Sequence, residues 1–162
     1  MAKRRRRRRR SLKEIFFEKV AQHMVVTITT PPPIASLKKP VEEATVAFVT
    51  TAGLRLETDE PFDTKQGDPT FRVIPKETPP QALVVDHEHY DTTAAKQDHN
   101  LVFPLEILKE LAAKGEIGQV AKHHYGLMGY IPQVKPLMNK TAPKIAEMML
   151  ADGVDIALLS PG

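Results

Sequence analysis

The chain has 162 residues, 41% hydrophobic and 27% charged, with a formal charge of +3, which is the make-up of one soluble globular domain. It contains no cysteine, which excludes disulfides, thiolate metal ligands and a cysteine nucleophile within these residues. No apolar run approaches the ~18–20 residues that cross a bilayer, and no membrane partner is expected.

The charge is unevenly placed. Lys3 and Arg4 to Arg10 supply eight positive charges, so residues 11–162 carry −5. Seven consecutive arginines repel one another and cannot pack, so residues 1–10 are expected to be a disordered, Arg-rich head. Such a head can contact nucleic-acid phosphates, but no aromatic residue interleaves it for stacking on bases, and the acidic body offers no wider nucleic-acid surface. A secretory signal would continue with 7–15 apolar residues. Ser11-Leu12-Lys13-Glu14 interrupts instead, and a cytoplasmic location is expected.

Residues 11–40 read as an amino-terminal helix and a Pro-rich connector. Ser11 and Glu14 have capping-box spacing ahead of a helix over about Leu12 to Ala21. Val25 to Ile28 is β-branched and strand-like, and Pro31-Pro32-Pro33 forces an extended, rigid spacer.

Residues 41–162 read as an α/β domain with an open, mostly parallel sheet and flanking helices. Ala44 to Val49 is a buried strand, and Thr50-Thr51-Ala52-Gly53 its exit turn, which either approaches a ligand or simply ends the strand. Residues 54–80 form a long polar connection whose one apolar island, Phe71-Arg72-Val73-Ile74, suits an edge strand. Arg72 there is a candidate for a carboxylate or phosphate, or for a structural ion pair.

The continuous apolar run Ala82 to Val85 reads as a buried parallel strand that delivers Asp86-His87-Glu88-His89-Tyr90-Asp91 to its carboxyl end, where open α/β sheets bind ligands. Three uses fit that stretch. His87, His89 and Asp91 resemble a ligand set for zinc, iron or manganese, the group contacts a polar substrate, or it is a hydrogen-bonded turn.

Pro104 opens a helix with Leu105, Leu108, Leu111 and Ala112 on one stripe and Gly115 at its end. His123 to Tyr130 suits a strand ending in a glycine turn. Adjacent histidines on a strand point to opposite faces, so only one of His123 and His124 can face a site. Thr141 reads as the N-cap of a helix carrying Ile145, Met148 and Met149, Gly153 closes it, and Val154 to Leu159 is a last strand with no return helix after it. The domain reads as incomplete at its carboxyl end.

Several stretches in this order resemble one family. They are Val46 to Gly53, Phe62-Asp63, Phe71 to Pro75, His89-Tyr90-Asp91, Phe103-Pro104, Gly126 to Tyr130 and Asp152 to Asp155. Together they resemble the selenoprotein B family of glycine, sarcosine, betaine and D-proline reductases over about residues 25–162, with a layout nearest its D-proline reductase branch. Such proteins carry selenocysteine, or cysteine, in the turn after the strand corresponding to Val154–Leu159. That implies a chain truncated before its redox residue, as a UGA read as stop would give, and inactive alone.

The resemblance further implies reductive C–N cleavage of an amino acid or related amine with a dithiol donor and a partner reductase subunit, which can carry a pyruvoyl group. His87, Tyr90, Asp91 and His124 match family positions and become substrate-contacting or supporting residues. Leu101 stands where relatives often have cysteine. Two other readings remain: a metal-dependent enzyme on His87, His89 and Asp91, and a non-catalytic module whose arginine head binds nucleic acid.

Overall fold

A computed structural model describes residue 31, residue 33, residues 35–87 and residues 91–161. The arginine head, the helix expected over Leu12 to Ala21 and the strand expected at Val25 to Ile28 lie outside the described residues, as do His89 and Tyr90. The elements below all belong to the unit Ser36–Gly162.

Strand β1 (Thr45–Thr50) is the centre of the sheet, and all six of its residues are buried. A strand covered on both faces needs apolar or hydrogen-bonded side chains on both, which Thr-Val-Ala-Phe-Val-Thr supplies. Along one edge, β1 pairs in parallel with β5 (Gln119–Val120) at its start and β6 (His123–Leu127) at its end. Along the other edge, all of Val46 to Thr50 pairs in parallel with β7 (Ile156–Ser160). Strand β3 (Phe71–Pro75) closes the β6 side antiparallel, as an edge strand. The sheet is therefore mostly parallel, as expected.

Alternation along β1 divides the core in two. Val46 and Phe48 face helix α2 (Leu105–Ala113), packing with Phe103, Leu105 and Leu108, and Phe48 meets Phe103 edge-on at 5.6 Å. Val49 faces the opposite side with Tyr125, Leu127 and Ile145, the last from helix α3 (Ala142–Ala151). Helices thus cover both faces, the doubly wound arrangement. Helix α2 forms as its stripe predicts, with Glu106–Lys109 and Glu110–Lys114 pairs on its outer side and Gly115 at φ 73° after its end.

Three local expectations are corrected. Leu83 to Val85 (β4) is a buried strand but not a parallel one. It pairs antiparallel with β2 (Leu54–Leu56) in a separate two-stranded sheet. An apolar run reports burial, and burial is compatible with either direction. The β2 strand itself lies inside the stretch read as irregular. Thr141 does not cap α3. A helical turn at Val134–Pro136 and a π-helical segment at Leu137–Thr141 lead continuously into it, and the buried Thr141 hydroxyl donates to Pro69 O at 2.5 Å.

The turn into β7 is tightly held. Gly153 N–H and Val154 N–H return to Leu150 O and Met149 O, Asp152 meets His123 Nδ1 at 2.8 Å, and Asp155 accepts from Thr45 N–H at 2.8 Å. Lys39 lies 2.7 Å from Asp155 and, with that backbone bond, holds its carboxyl below the usual carboxylate range. Beyond this turn β7 is poorly covered, and Leu159 is 76% exposed. No helix among the described residues is long and apolar enough to cross a membrane.

Candidate functional site at the strand ends

The carboxyl ends of β1, β6 and β7 meet through the exit turn of β1. Thr51 N–H donates to Ser160 O at 3.0 Å and Gly53 N–H to Leu127 O at 2.8 Å, while Gly53 O accepts from Asp86 N–H at 2.9 Å. The Thr50 hydroxyl accepts from Ala52 N–H at 3.2 Å, so this buried side chain ends the strand rather than meeting a ligand. Gly53 has φ +73°, and a Cβ there would lie 1.9 Å from Asp86 O. One turn therefore ties the end of the main sheet to the end of β4, and only glycine fits its tightest point.

His87 follows from that tie. Its Nε2 is buried, and it rests on Gly129, where a Cβ would be 2.8 Å from the nitrogen and 3.1 Å from Thr51 O. Gly129 itself is exposed. An imidazole is thus laid across the ends of β1 and β6 at a rim open to solvent. Imidazole is the side chain best suited to hold or pass a proton near neutral pH.

The other expected residues are placed differently. Asp86 belongs to a structural knot. Arg55 Nε donates to Asp86 Oδ2, and Nη2 reaches Oδ1 at 3.3 Å, while Nη1 donates to the carbonyls of Leu56, Glu57 and Asp59 at 2.8, 3.1 and 3.1 Å. Asp91 is exposed, and its carboxylate is held by the Thr93 side chain and by Thr93 N–H at 3.0 Å, which lower its pKa. It closes a local turn just ahead of α1 (Thr93–Gln97).

His124 is the second residue of β6, short of the strand's carboxyl end, and is completely buried. Its Nδ1 accepts from Phe48 N–H at 2.9 Å, and its ring meets Phe103 edge-on at 5.6 Å. Nδ1 being the acceptor, the neutral ring carries its proton on Nε2. Burial, with the nearby His123 and Lys109 charges, pushes its pKa down to about 4. Arg72 is committed within its own loop, with its guanidinium 4.4 Å over the Phe62 ring, Nε donating to Glu60 O at 2.9 Å and Nη2 paired with Asp68 Oδ2 at 3.6 Å.

Among the described residues no three His, Asp or Glu side chains gather as a metal set. His89, which the metal reading needs, is outside them. Sequence reasoning missed Arg55 and Gly129. Arg55 interrupts an apolar triplet, Leu54-Arg55-Leu56, and a charge between two buried positions signals a buried partner. Gly129 gave no signal beyond its place in a motif.

Residues 16–161 match the model of the glycine/sarcosine/betaine reductase selenoprotein B family. The D-proline reductase subunit gamma of Acetoanaerobium sticklandii is 36% identical over 124 residues, 76% of this chain and 51% of that protein. The glycine reductase complex component B subunits gamma of Carboxydothermus hydrogenoformans and Peptoclostridium acidaminophilum are 29% and 26% identical over 129 residues each, 75% of this chain but 29% and 28% of theirs. The chain thus spans about half the length of the first relative and under a third of the other two. No solved structure matches.

Proposed function

The chain belongs to the glycine/sarcosine/betaine reductase selenoprotein B family, and from that membership we propose that it is the scaffold portion of a reductase-complex subunit. Its reaction would be reductive cleavage of a C–N bond in an amino acid or related amine. The observation that carries this reading is the family match over residues 16–161 taken with the imidazole seated at the strand ends.

Cleaving a C–N bond reductively consumes two electrons and two protons. A dithiol donor supplies both as it closes to a disulfide. These 162 residues contain no cysteine, so a selenocysteine or cysteine supplying the nucleophile would belong to residues outside them, after β7. A partner subunit, with or without a pyruvoyl carbonyl, would hold the substrate.

The role left to this chain is geometric and protonic. The β1 exit turn fixes Ser160 beside Thr51, and the Thr51 carbonyl in turn borders the Gly129 position on which His87 rests. His87, laid on Gly129, is the residue we assign to passing a proton to the departing amine. His124 and Asp91 act through structure, one inside the core and the other at the start of α1.

The test uses the longest protein the gene encodes, with selenocysteine or cysteine at the redox position, mixed with its partner subunits. Dithiothreitol oxidation that depends on D-proline, glycine, sarcosine or betaine is the expected result, and His87→Gln lowers kcat about 10²-fold, the scale of a lost general acid. Absence of substrate-dependent oxidation with all four compounds would sink the proposal.

A further inference from the structure

Asp86, the residue before His87, is fixed at three points. Its N–H donates to Gly53 O at 2.9 Å. Its carbonyl is packed against Gly53, in the space a Cβ there would need. Its carboxylate accepts from Arg55 Nε and Nη2 and from Phe62 N–H, the last at 3.3 Å. With amide, carbonyl and side chain all held, the peptide that leads into His87 has little freedom to turn.

Arg55 is saturated in turn. Only 9% exposed, it directs Nε and Nη2 to Asp86 and Nη1 to the carbonyls of Leu56, Glu57 and Asp59. A lysine would bring a point charge and could not reproduce that fork. Stability alone is a poor reason for such a pair, since two apolar side chains of similar volume often hold a buried site equally well. What an apolar pair lacks is direction. The knot sets the angle of one backbone segment, and the next side chain along it is the imidazole that rests on Gly129.

We infer that Arg55 and Asp86 are positioning residues for His87, setting its backbone so that the imidazole lies across Gly129 at the strand ends. The inference rests on the reading of His87 as the group that passes a proton, and it names what aims that group. Both residues are engaged by the protein itself, so they act through His87. Proton transfer needs the ring within hydrogen-bond reach, and a displacement of about 1 Å caused away from the chemistry can cost up to ~10²-fold in rate.

The first measurement uses the full chain without substrate or partner. Imidazole NMR signals are assigned to His87 by their loss in His87→Gln. Arg55→Lys should displace or broaden them, while the His124 signals, from the main core, stay in place. The second uses the longest protein the gene encodes, with its partner subunits. There Arg55→Lys should lower kcat about tenfold, with KM changed less than about twofold. In a His87→Gln background the same change should lower kcat less than about twofold, because the residue it aims is gone. Asp86→Asn, which retains an oxygen for Phe62 N–H, carries both measurements should Arg55→Lys fail to fold.

Unmoved His87 signals in a folded variant would overturn the inference. So would kcat losses that multiply in the double variant, or a rise in KM with kcat unchanged. A parent complex that oxidises no dithiol with any of the four substrates sinks the reductase reading alone, and the ring signals still decide the positioning.

Discussion

The buried His124 makes a quantitative prediction about acid. In the unfolded chain its imidazole titrates near 6.5, and in the folded protein near 4. Between those values the unfolded state binds a proton that the native state refuses. Stability is therefore fully present above pH 6.5 and is lost as pH falls toward 4. At about 1.4 kcal/mol per pH unit of displacement, this one group removes roughly 3 kcal/mol across the window. His124→Asn retains an acceptor for Phe48 N–H without a titrating ring. Urea unfolding from pH 7.5 to 4.5 then has a distinct signature. The variant is less stable than the parent at pH 7.5, by about 1–3 kcal/mol for the changed core packing, and the gap narrows or reverses by pH 4.5. The comparison removes the contribution of the other histidines, which both proteins share. Parallel stability curves, with a constant gap at every pH, would falsify the burial of a neutral imidazole at this position.

Other substitutions read other joints of the structure. Gly53→Ala places a Cβ on Asp86 O in a left-handed backbone and is expected to cost about 3 kcal/mol or more, seen as a fall in urea midpoint; a neutral result would mean the turn is not the tie described. Arg55→Met leaves Asp86 without its main partner and should cost about 3 kcal/mol, of which Asp86→Leu in the same chain recovers a large part, and failure of the pair to couple in a double-mutant cycle refutes the knot. Gly129→Ala pushes on His87 Nε2, so the His87 resonances should shift by NMR while the melting temperature changes little; unmoved resonances would separate the two residues. Leu159→Lys, on the uncovered side of β7, should leave stability within about 0.5 kcal/mol, and a large loss would show that β7 is covered after all.

Much of the fold was legible because its signals are local. The buried run of β1, the stripe and glycine stop of α2, and the Phe71 edge strand are each written within a few adjacent residues. What escaped depends on distant pairing. Leu83 to Val85 is as apolar as a parallel strand, and only its antiparallel partner at Leu54 to Leu56 settles its direction. Thr141 looks like a cap because its neighbours are Ala142 and Pro143, yet its hydroxyl is drawn to Pro69, 72 residues away. The site was half legible. His87 stood out by chemistry, but its seat on Gly129 and the diversion of Asp86 to Arg55 are meetings between separate loops. His124 shows the converse, since a histidine prominent in the sequence lies sealed behind Phe103.

The placement of β1 also governs the order in which the protein can be made. This strand leaves the ribosome early, yet its partners are residues 119–127 and 156–160, and its first residue bonds across 110 residues to Asp155. Until those segments emerge, six residues destined for complete enclosure have nothing to enclose them. Contacts of such span make folding slow and leave a β-rich apolar strand available to wrong partners during synthesis. Any nascent chain halted before residue 156 would lack one whole edge of its central strand, and its natural client relationship would be with a chaperone rather than with a substrate.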